Sequence, residues 1–169
     1  PHAGTEVGTL GDPLSPDLDV RCDADLFVDE LYQGGPTGAF LLARLSRFIC
    51  DLNRHPDDVT ANAVVGHPNP RNTDGRGFIW SITTTGTTAQ QRPLTLAEWG
   101  LRQAVHAAYH GSIRDALARA RRKFGYAILV DGHSMPSVGR VGHTDEGHNR
   151  ADIVPGDRQG TSCSPRLSQ

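Results

Sequence analysis

Apolar residues recur along this chain at spacings that predict a first helix within the N-terminal third. From Asp23 to Tyr32 the apolar positions include helical spacings, and the acidic residues at the start suit a helix N-terminus. Because glycine and proline interrupt regular structure, the tripeptide Gly34-Gly35-Pro36 is expected to end this helix.

A second and longer helix has signals at both of its ends. Thr95 and Glu98 match a capping box, in which a threonine hydroxyl and a glutamate carboxylate each bind a free backbone N–H group. Gly125 is expected to stop the helix after about Phe124. Between these ends, apolar residues recur every fourth position at Val105, Tyr109, Ile113 and Leu117.

Runs of apolar residues predict strands elsewhere. Ala39–Leu52 indicates two strands or one bent strand, ending in Phe48–Leu52. Tyr126–Val130 is nearly all apolar, as expected of a central strand covered on both faces, and Ala151–Val154 is a further candidate. A helix followed by a buried strand with polar residues at its end is the α/β pattern, in which ligand sites gather at strand C-termini.

The segment from Asn53 to about Arg92 is polar and rich in proline, glycine, asparagine and threonine. Its only clear apolar run is Phe78-Ile79-Trp80. Segments of this length without regular structure are uncommon in a domain and are usually functional, so we expect a functional loop region here.

Composition narrows the class of protein. A chain of 169 residues is of the size of one domain, so a single domain over 1–169 is predicted. No apolar run approaches the roughly 20 residues that cross a bilayer, and a net charge of −2 gives no basic field for nucleic acid. We therefore expect neither a membrane nor nucleic acid as a partner, and the sequence leaves the oligomeric state open. Three cysteines, Cys22, Cys50 and Cys163, are too few for a disulfide framework, which favours the cytoplasm.

Two histidines stand beside glycines at expected strand ends, in Pro1-His2-Ala3-Gly4 and in Asp131-Gly132-His133-Ser134. Hydrolytic zinc sites take three nitrogen or oxygen ligands and leave a fourth position for water. Two imidazoles and one carboxylate would suffice. The first helix offers three carboxylates, those of Asp23, Asp25 and Asp29.

Other polar residues near these motifs allow two interpretations each. Asp131 precedes His133 by two residues, so it either orients the ring and lines the site or caps a turn. Arg54 either binds a substrate carboxylate through its guanidinium fork or pairs on the surface with Asp51 or Asp57.

His106 and His110 have the four-residue spacing of a metalloprotease zinc helix, but Ala107 stands where that motif needs a glutamate, so packing is favoured. Ser134 lies outside a Gly-x-Ser-x-Gly elbow, which argues against a serine hydrolase. The polar loop with His143, Glu146 and His148 either covers the site or is solvated.

The motifs occur in an order that resembles the N-formylglutamate amidohydrolase family, spanning nearly the whole chain. They are Pro1-His2-Ala3-Gly4, Asp25 to Tyr32, Ser46-Arg47 through Asp51-Leu52-Asn53-Arg54, Asp131-Gly132-His133-Ser134 and Gly156-Asp157 to Cys163. The resemblance implies a mixed central sheet flanked by helices, as in zinc carboxypeptidases.

The resemblance also implies roles for individual residues. Zinc would be held by His2, Asp25 and His133, with Asp29 as the alternative acid. Substrate binding is assigned to Arg47, Asn53, Arg54 and Arg158, and catalytic roles to Asp131 and Ser134.

The implied activity is zinc-dependent hydrolysis of N-formyl-L-glutamate to formate and L-glutamate, a reaction of histidine degradation. Family members usually have a strand before the first histidine and a later Gln-x-Glu segment whose glutamate is the natural general base. Both are expected to be lacking in 1–169, and Glu146 is the only late glutamate. The alternatives are a metallo-amidase or peptidase acting on another N-acyl amino acid, and a metal-binding pseudoenzyme without the base.

Overall fold

The longest element in the described residues is the helix Leu96–Phe124, which carries the buried residue Arg102. The computed structural model describes residues 1–33, 38–72, 74–141 and 143–168. They contain a 3₁₀ helix at Gly8–Gly11 and the helices α1 (Val28–Tyr32), α2 (Leu96–Phe124) and α3 (Pro165–Ser168). The contacts divide the chain into two units, Pro1–Ser134 and Met135–Gln169.

Helix α2 begins and ends where its sequence predicts. The hydroxyl of Thr95 accepts a hydrogen bond from the Glu98 N–H group at 3.2 Å, and the Glu98 carboxylate accepts from the Thr95 N–H group at 2.8 Å. Gly125 adopts a left-handed conformation with φ of 81° and donates its N–H group to the Arg121 carbonyl. The capping box and the glycine stop are confirmed because both depend only on local backbone geometry.

Helix α1 is shorter than predicted. Only Val28–Tyr32 is helical, and the preceding Phe27 has a φ of 65°, in the left-handed region that interrupts a right-handed helix. Asp25 therefore lies before the helix instead of within it. The expected end at Gly34-Gly35-Pro36 lies outside the described residues.

Strand pairing in the described ranges consists of isolated bridges, such as the parallel bridge between Glu6 and Leu45. The strand expected at Phe48–Leu52 is wrong: the Ile49 N–H group bonds the Ser46 carbonyl at 2.9 Å and makes a turn. Tyr126–Val130 is not a strand either, and Tyr126 and Val130 are 66% and 68% exposed. A central strand needs backbone partners and apolar cover. Within the described chain, nothing pairs with this run, and Ala151–Val154 likewise has no strand assignment.

Much of the core comes from the polar segment that was expected to be a loop region. Phe78 and Ile79 have no exposed surface, and the nearby Trp80 is 4% exposed. The segment lacks long regular elements, yet its apolar residues lie in a core cluster against which Trp99, Val105 and Tyr109 of α2 pack. The core cluster is Leu14, Ala43, Phe48, Ile49, Cys50, Leu52, Val59, Ala63, Val64, Phe78, Ile79, Trp80, Ala89 and Leu94.

Arg102 crosses this core from α2. It is 2% exposed, and its guanidinium donates to the carbonyls of Ile49 at 3.0 Å, Glu98 at 2.9 Å and Leu10 at 2.5 Å. Burial lowers the pKa of Arg102, although it stays charged because arginine titrates far above neutral pH. One cation thus ties α2 to two other segments of the chain.

The cysteines and the helices bear on the expectations about disulfides and membrane insertion. Cys22, Cys50 and Cys163 are all free thiols. None of the helices in the described ranges combines the length and the apolar character that crossing a bilayer requires.

Candidate metal centre

The segment that carries His2 is fixed by pairing with residues 44–46. The Glu6 N–H group bonds the Arg44 carbonyl at 3.0 Å, and the Ser46 N–H group bonds the Glu6 carbonyl at 2.8 Å. A Cβ atom on Gly4 would overlap the backbone of Arg44, so this close approach requires glycine. The pairing places His2 beside Arg47 in a buried position.

Asp25 is brought to His2 by a backbone hydrogen bond. Its N–H group donates to the His2 carbonyl at 3.0 Å, just before the left-handed Phe27 turns the chain into α1. The Asp25 side chain is 7% exposed. A buried carboxylate needs a charged or hydrogen-bonding partner, and the two histidine rings supply it.

His2, Asp25 and His133 come together with one potential ligand atom each, all within 4.8 Å of one another. Nδ1 of His133 lies 2.8 Å from Oδ2 of Asp25, and Nδ1 of His2 lies 3.6 Å from the same oxygen. The ring centroids are 5.0 Å apart. Both histidines therefore turn the same nitrogen toward one carboxylate.

The opposite nitrogen of each ring is also held by a carboxylate. Nε2 of His2 lies 2.8 Å from Oδ1 of Asp51, and Nε2 of His133 lies 3.3 Å from Oδ2 of Asp131. The Asn53 amide joins the second pair, at 2.9 Å from Nε2 of His133 and 3.3 Å from Asp131. Carboxylates in this position fix the orientation and tautomer of a ligand histidine.

Asp51 is itself well anchored. It is 1% exposed, and its Oδ2 accepts the Trp80 indole N–H at 3.1 Å while Oδ1 accepts the Asn53 N–H at 2.9 Å. Burial alone would raise the pKa of Asp51, but the hydrogen bond from His2 and the nearby positive charges outweigh it and lower that pKa. Asp51 is thus an ionised acceptor for His2.

Electrostatics in the centre favour charged forms. The hydrogen bonds to Asp131 and Asp25 raise the pKa of His133 to about 9, against the opposing effect of burial. Burial would raise the pKa of Asp25, but hydrogen bonds from His133 and His2 bring it below its ordinary value. The centre concentrates negative charge around two imidazoles, and this charge also suits a divalent cation.

Arg47 borders the same group. Its guanidinium contacts Nδ1 of His2, lies 3.9 Å from Oδ1 of Asp25, and stacks 4.9 Å from the centre of the Trp80 ring. Nε of Arg47 is buried without a hydrogen-bond partner among the described residues.

The remaining predicted residues have varied positions. Asp29 lies in the first turn of α1 and outside the three-residue ligand group. Arg54 is exposed, and in the described ranges it has no ion pair with Asp51 or Asp57. Ser134 is exposed at the end of the first unit, and Arg158 is exposed in the second unit with a φ of 51°.

Sequence reasoning missed the contribution of Asp51. It considered Asp51 only as a surface partner of Arg54, whereas the structure buries it behind His2. A signal was present: the aspartate directly follows the apolar run Phe48-Ile49-Cys50, where an ionisable residue is seldom buried without a specific partner.

The sequence of this chain is similar to those of known proteins. The sequence model of the N-formylglutamate amidohydrolase family matches residues 1–169. The chain belongs to the N-formylglutamate amidohydrolase family. The predicted resemblance is therefore confirmed, and the family consists of amidohydrolases.

Relatives within this family are similar over the whole chain. N-formylglutamate deformylase of Pseudomonas aeruginosa is 32% identical over 173 residues, which cover 99% of this chain and 61% of that protein. The deformylase of Pseudomonas putida is 30% identical over 174 residues, covering 100% and 61%. A crystal structure of N-formylglutamate amidohydrolase from Ralstonia eutropha JMP134 superimposes with a TM-score of 0.80 at 30% identity, covering 99% of this chain and 63% of that one. The chain thus spans about three-fifths of the length of these relatives.

Proposed function

We propose that this chain carries the metal centre of an N-formylglutamate deformylase, which hydrolyses N-formyl-L-glutamate to formate and L-glutamate. The observation that carries the proposal is the convergence of His2, Asp25 and His133 to within 4.8 Å in a chain of this family. We further propose that the family's mixed α/β sheet architecture, resembling zinc carboxypeptidases, applies to the whole protein. The predicted single domain remains part of this proposal.

The donor set fits zinc. Two imidazole nitrogens and one carboxylate oxygen are the ligands of many hydrolytic zinc sites, and three protein ligands leave a position for substrate or water. Both rings present Nδ1 to Asp25 while carboxylates hold their Nε2 atoms. A bound zinc ion would supply Lewis acidity, which polarises an amide carbonyl and makes a water molecule a stronger acid.

The side chains around the ligands are suited to orient an acidic substrate. Arg54 is exposed without an ion pair in the described ranges, and Asn53 contacts His133 beside it. An arginine fork binds a carboxylate with two parallel hydrogen bonds, so Arg54 would hold a glutamate carboxylate with Asn53 as neighbour. Arg47, which is partly buried next to His2 and Asp25, would donate to the formyl oxygen as it gains negative charge.

The contacts of Asp131 favour a role in orienting His133, whereas a catalytic role for Ser134 stays a prediction. Hydrogen bonding to His133 lowers the pKa of Asp131, which makes it a weak base and favours a role in orienting that ring. Ser134 is exposed and stays a prediction, as does a role for Arg158 in substrate binding. Cytoplasmic location and a place in histidine degradation also remain proposals.

The decisive experiment measures zinc content and formate release on the same samples of wild type, His133→Ala and His148→Ala. The third protein is a control because His148 is exposed and lies outside the ligand group. We expect about one zinc per chain with turnover in wild type and the control, and loss of both in His133→Ala. Zinc binding without turnover would support the alternative of a metal-binding pseudoenzyme. A wild-type protein that binds no zinc would overturn the proposal of a metal centre.

The substrate assignment has a separate test. Wild type and Arg54→Gln are compared on N-formyl-L-glutamate and on its diamide, which carries no carboxylate. Loss of a bidentate charged contact should raise KM for the acid by about tenfold or more, with little change for the diamide. Equal kinetics of the two proteins on the acid would point to a different N-acyl substrate.

A further inference from the structure

Residues 51–54 connect both histidines of the metal centre to the proposed substrate site. Asp51 bonds His2, and Asn53 contacts His133. A tight turn shapes this run, because the Arg54 N–H group bonds the Asp51 carbonyl at 3.1 Å and the Asn53 N–H group bonds the Asp51 carboxylate. A small rotation of the turn would move Asn53 and Arg54 together.

The Leu52 carbonyl of this turn is held by a side chain of α2. Nε2 of His110 lies 2.8 Å from the Leu52 oxygen. Since a carbonyl can only accept, the His110 ring donates and carries its proton on Nε2. Among the described residues, no backbone N–H group bonds the Leu52 carbonyl, so His110 is its hydrogen-bond donor there.

His106 supports His110 from one helical turn away. The two ring centroids are 4.2 Å apart, and His106 packs edge-on against Phe78 at 5.6 Å. The backbone carbonyl of Phe78 in turn accepts a hydrogen bond from the Asp51 N–H group at 2.8 Å. Burial, followed by the neighbouring His110, lowers the pKa of His106, although the Arg54 backbone opposes this shift. The two histidines thus contact the turn at the Leu52 carbonyl, through His110, and at the Arg54 backbone, through His106.

We propose that His110, supported by His106, is a positioning residue that fixes the Leu52–Arg54 turn and so aims Asn53 and Arg54 at the substrate. The proposal deepens the proposed function and rests on it for the role of these two side chains. The alternative is plain packing, which any apolar side chain of similar size would satisfy. The two explanations differ in one requirement: a positioning role needs a hydrogen-bond donor at residue 110, whereas packing does not.

The test compares wild type with His110→Gln and His110→Leu in the whole chain. The glutamine amide nitrogen takes about the place of Nε2 and can still donate, whereas leucine fills space without a donor. Ser112→Ala is the matched control, since it removes a side-chain hydrogen bond to the Ala108 carbonyl on the exposed side of the same helix.

The first measurement is amide hydrogen exchange of Asn53 and Arg54, which needs no substrate. Loss of one hydrogen bond, worth about 1 kcal/mol, should speed their exchange about fivefold in His110→Leu and leave it near wild type in His110→Gln and Ser112→Ala. Unchanged exchange in His110→Leu, or equal acceleration in the glutamine and leucine variants, would overturn the proposal.

The second measurement is the kinetics of formate release at equal zinc content. His110→Leu should raise KM for N-formyl-L-glutamate several-fold more than it lowers kcat, because the displaced groups bind the ground-state carboxylate, and His110→Gln should restore KM. If wild type shows no turnover, the proposed function fails while the exchange data still decide whether His110 fixes the turn. Should His110→Leu not fold, His110→Asn replaces it, since its shorter amide falls short of the Leu52 carbonyl.

Discussion

Nε2 of His2 lies 2.8 Å from Oδ1 of Asp51, and both side chains are almost completely buried. The contact joins the N-terminal segment to the turn that carries Asn53 and Arg54. It also leaves Nδ1 of His2 as the nitrogen that faces Asp25. The orientation of a proposed metal ligand therefore depends on an aspartate that is not itself a ligand.

Replacing that aspartate should weaken metal binding without removing a ligand. Asp51→Asn keeps the shape but loses the negative charge, and it sets an amide N–H group against either the His2 or the Trp80 donor. We expect zinc affinity to fall about 10- to 100-fold. Competition with a chelator of known affinity measures this. Asp17→Asn, at an exposed position, is the control, and equal affinities for the two variants would contradict the role of Asp51.

Gly4→Ala tests the close pairing that places His2. The added Cβ atom would overlap the Arg44 backbone, so the segment must shift. We expect a loss of about 1–3 kcal/mol in the free energy of unfolding, measured in urea, together with reduced zinc content. Gly100→Ala is the matched control: nothing lies near its Cβ position inside α2, and there alanine should stabilise by about 0.5–1 kcal/mol. A neutral Gly4→Ala would show that the segment adapts.

Arg102→Met tests the buried cation that crosses the core. Methionine fills part of the volume but leaves the carbonyls of Ile49 and Leu10 without their donors. We expect the free energy of unfolding to fall by about 2–4 kcal/mol. Arg114→Met, on an exposed position of the same helix, should change it by less than about 0.5 kcal/mol. Comparable losses in both variants would mean that the effect comes from the helix surface.

The capping box of α2 predicts a pH dependence of stability. The hydrogen bond from Arg92, then that from the Thr95 backbone, lowers the pKa of Glu98 from 4.5 to about 2. A lowered folded-state pKa means that the unfolded state binds more protons in this range. The stabilisation by Glu98 is therefore present above pH 4.5 and is lost as the pH falls toward 2.

Thermal unfolding from pH 5 to pH 2 measures this loss in wild type and Glu98→Gln. The decrease in Tm over that interval should be smaller in Glu98→Gln, because glutamine does not titrate. Glu30→Gln, which changes an exposed glutamate in the first turn of α1, should behave as wild type does. Parallel Tm curves for wild type and Glu98→Gln would contradict the assignment.

The candidate site shows how far sequence reasoning reaches. The ordered motifs pointed to His2, His133 and Asp25 with Asp29 as alternative, and the structure groups Asp25 with the histidines. The choice between the aspartates depends on the left-handed Phe27, which ends the expected helix early. Helical periodicity carries no information on a single residue with positive φ, so the boundary of α1 was wrong.

The sequence by itself determined the features that depend on neighbours a few residues apart. Thr95, Glu98 and Gly125 fix the ends of α2 because their hydrogen bonds are local, and the motif order fixes the family. Only the tertiary structure decided the rest. His133 meets Asp25 across 108 positions, and Asp51 meets His2 across 49. Such contacts form because burying Phe78, Trp80 and the rest of the core directs the chain path, which no local pattern encodes.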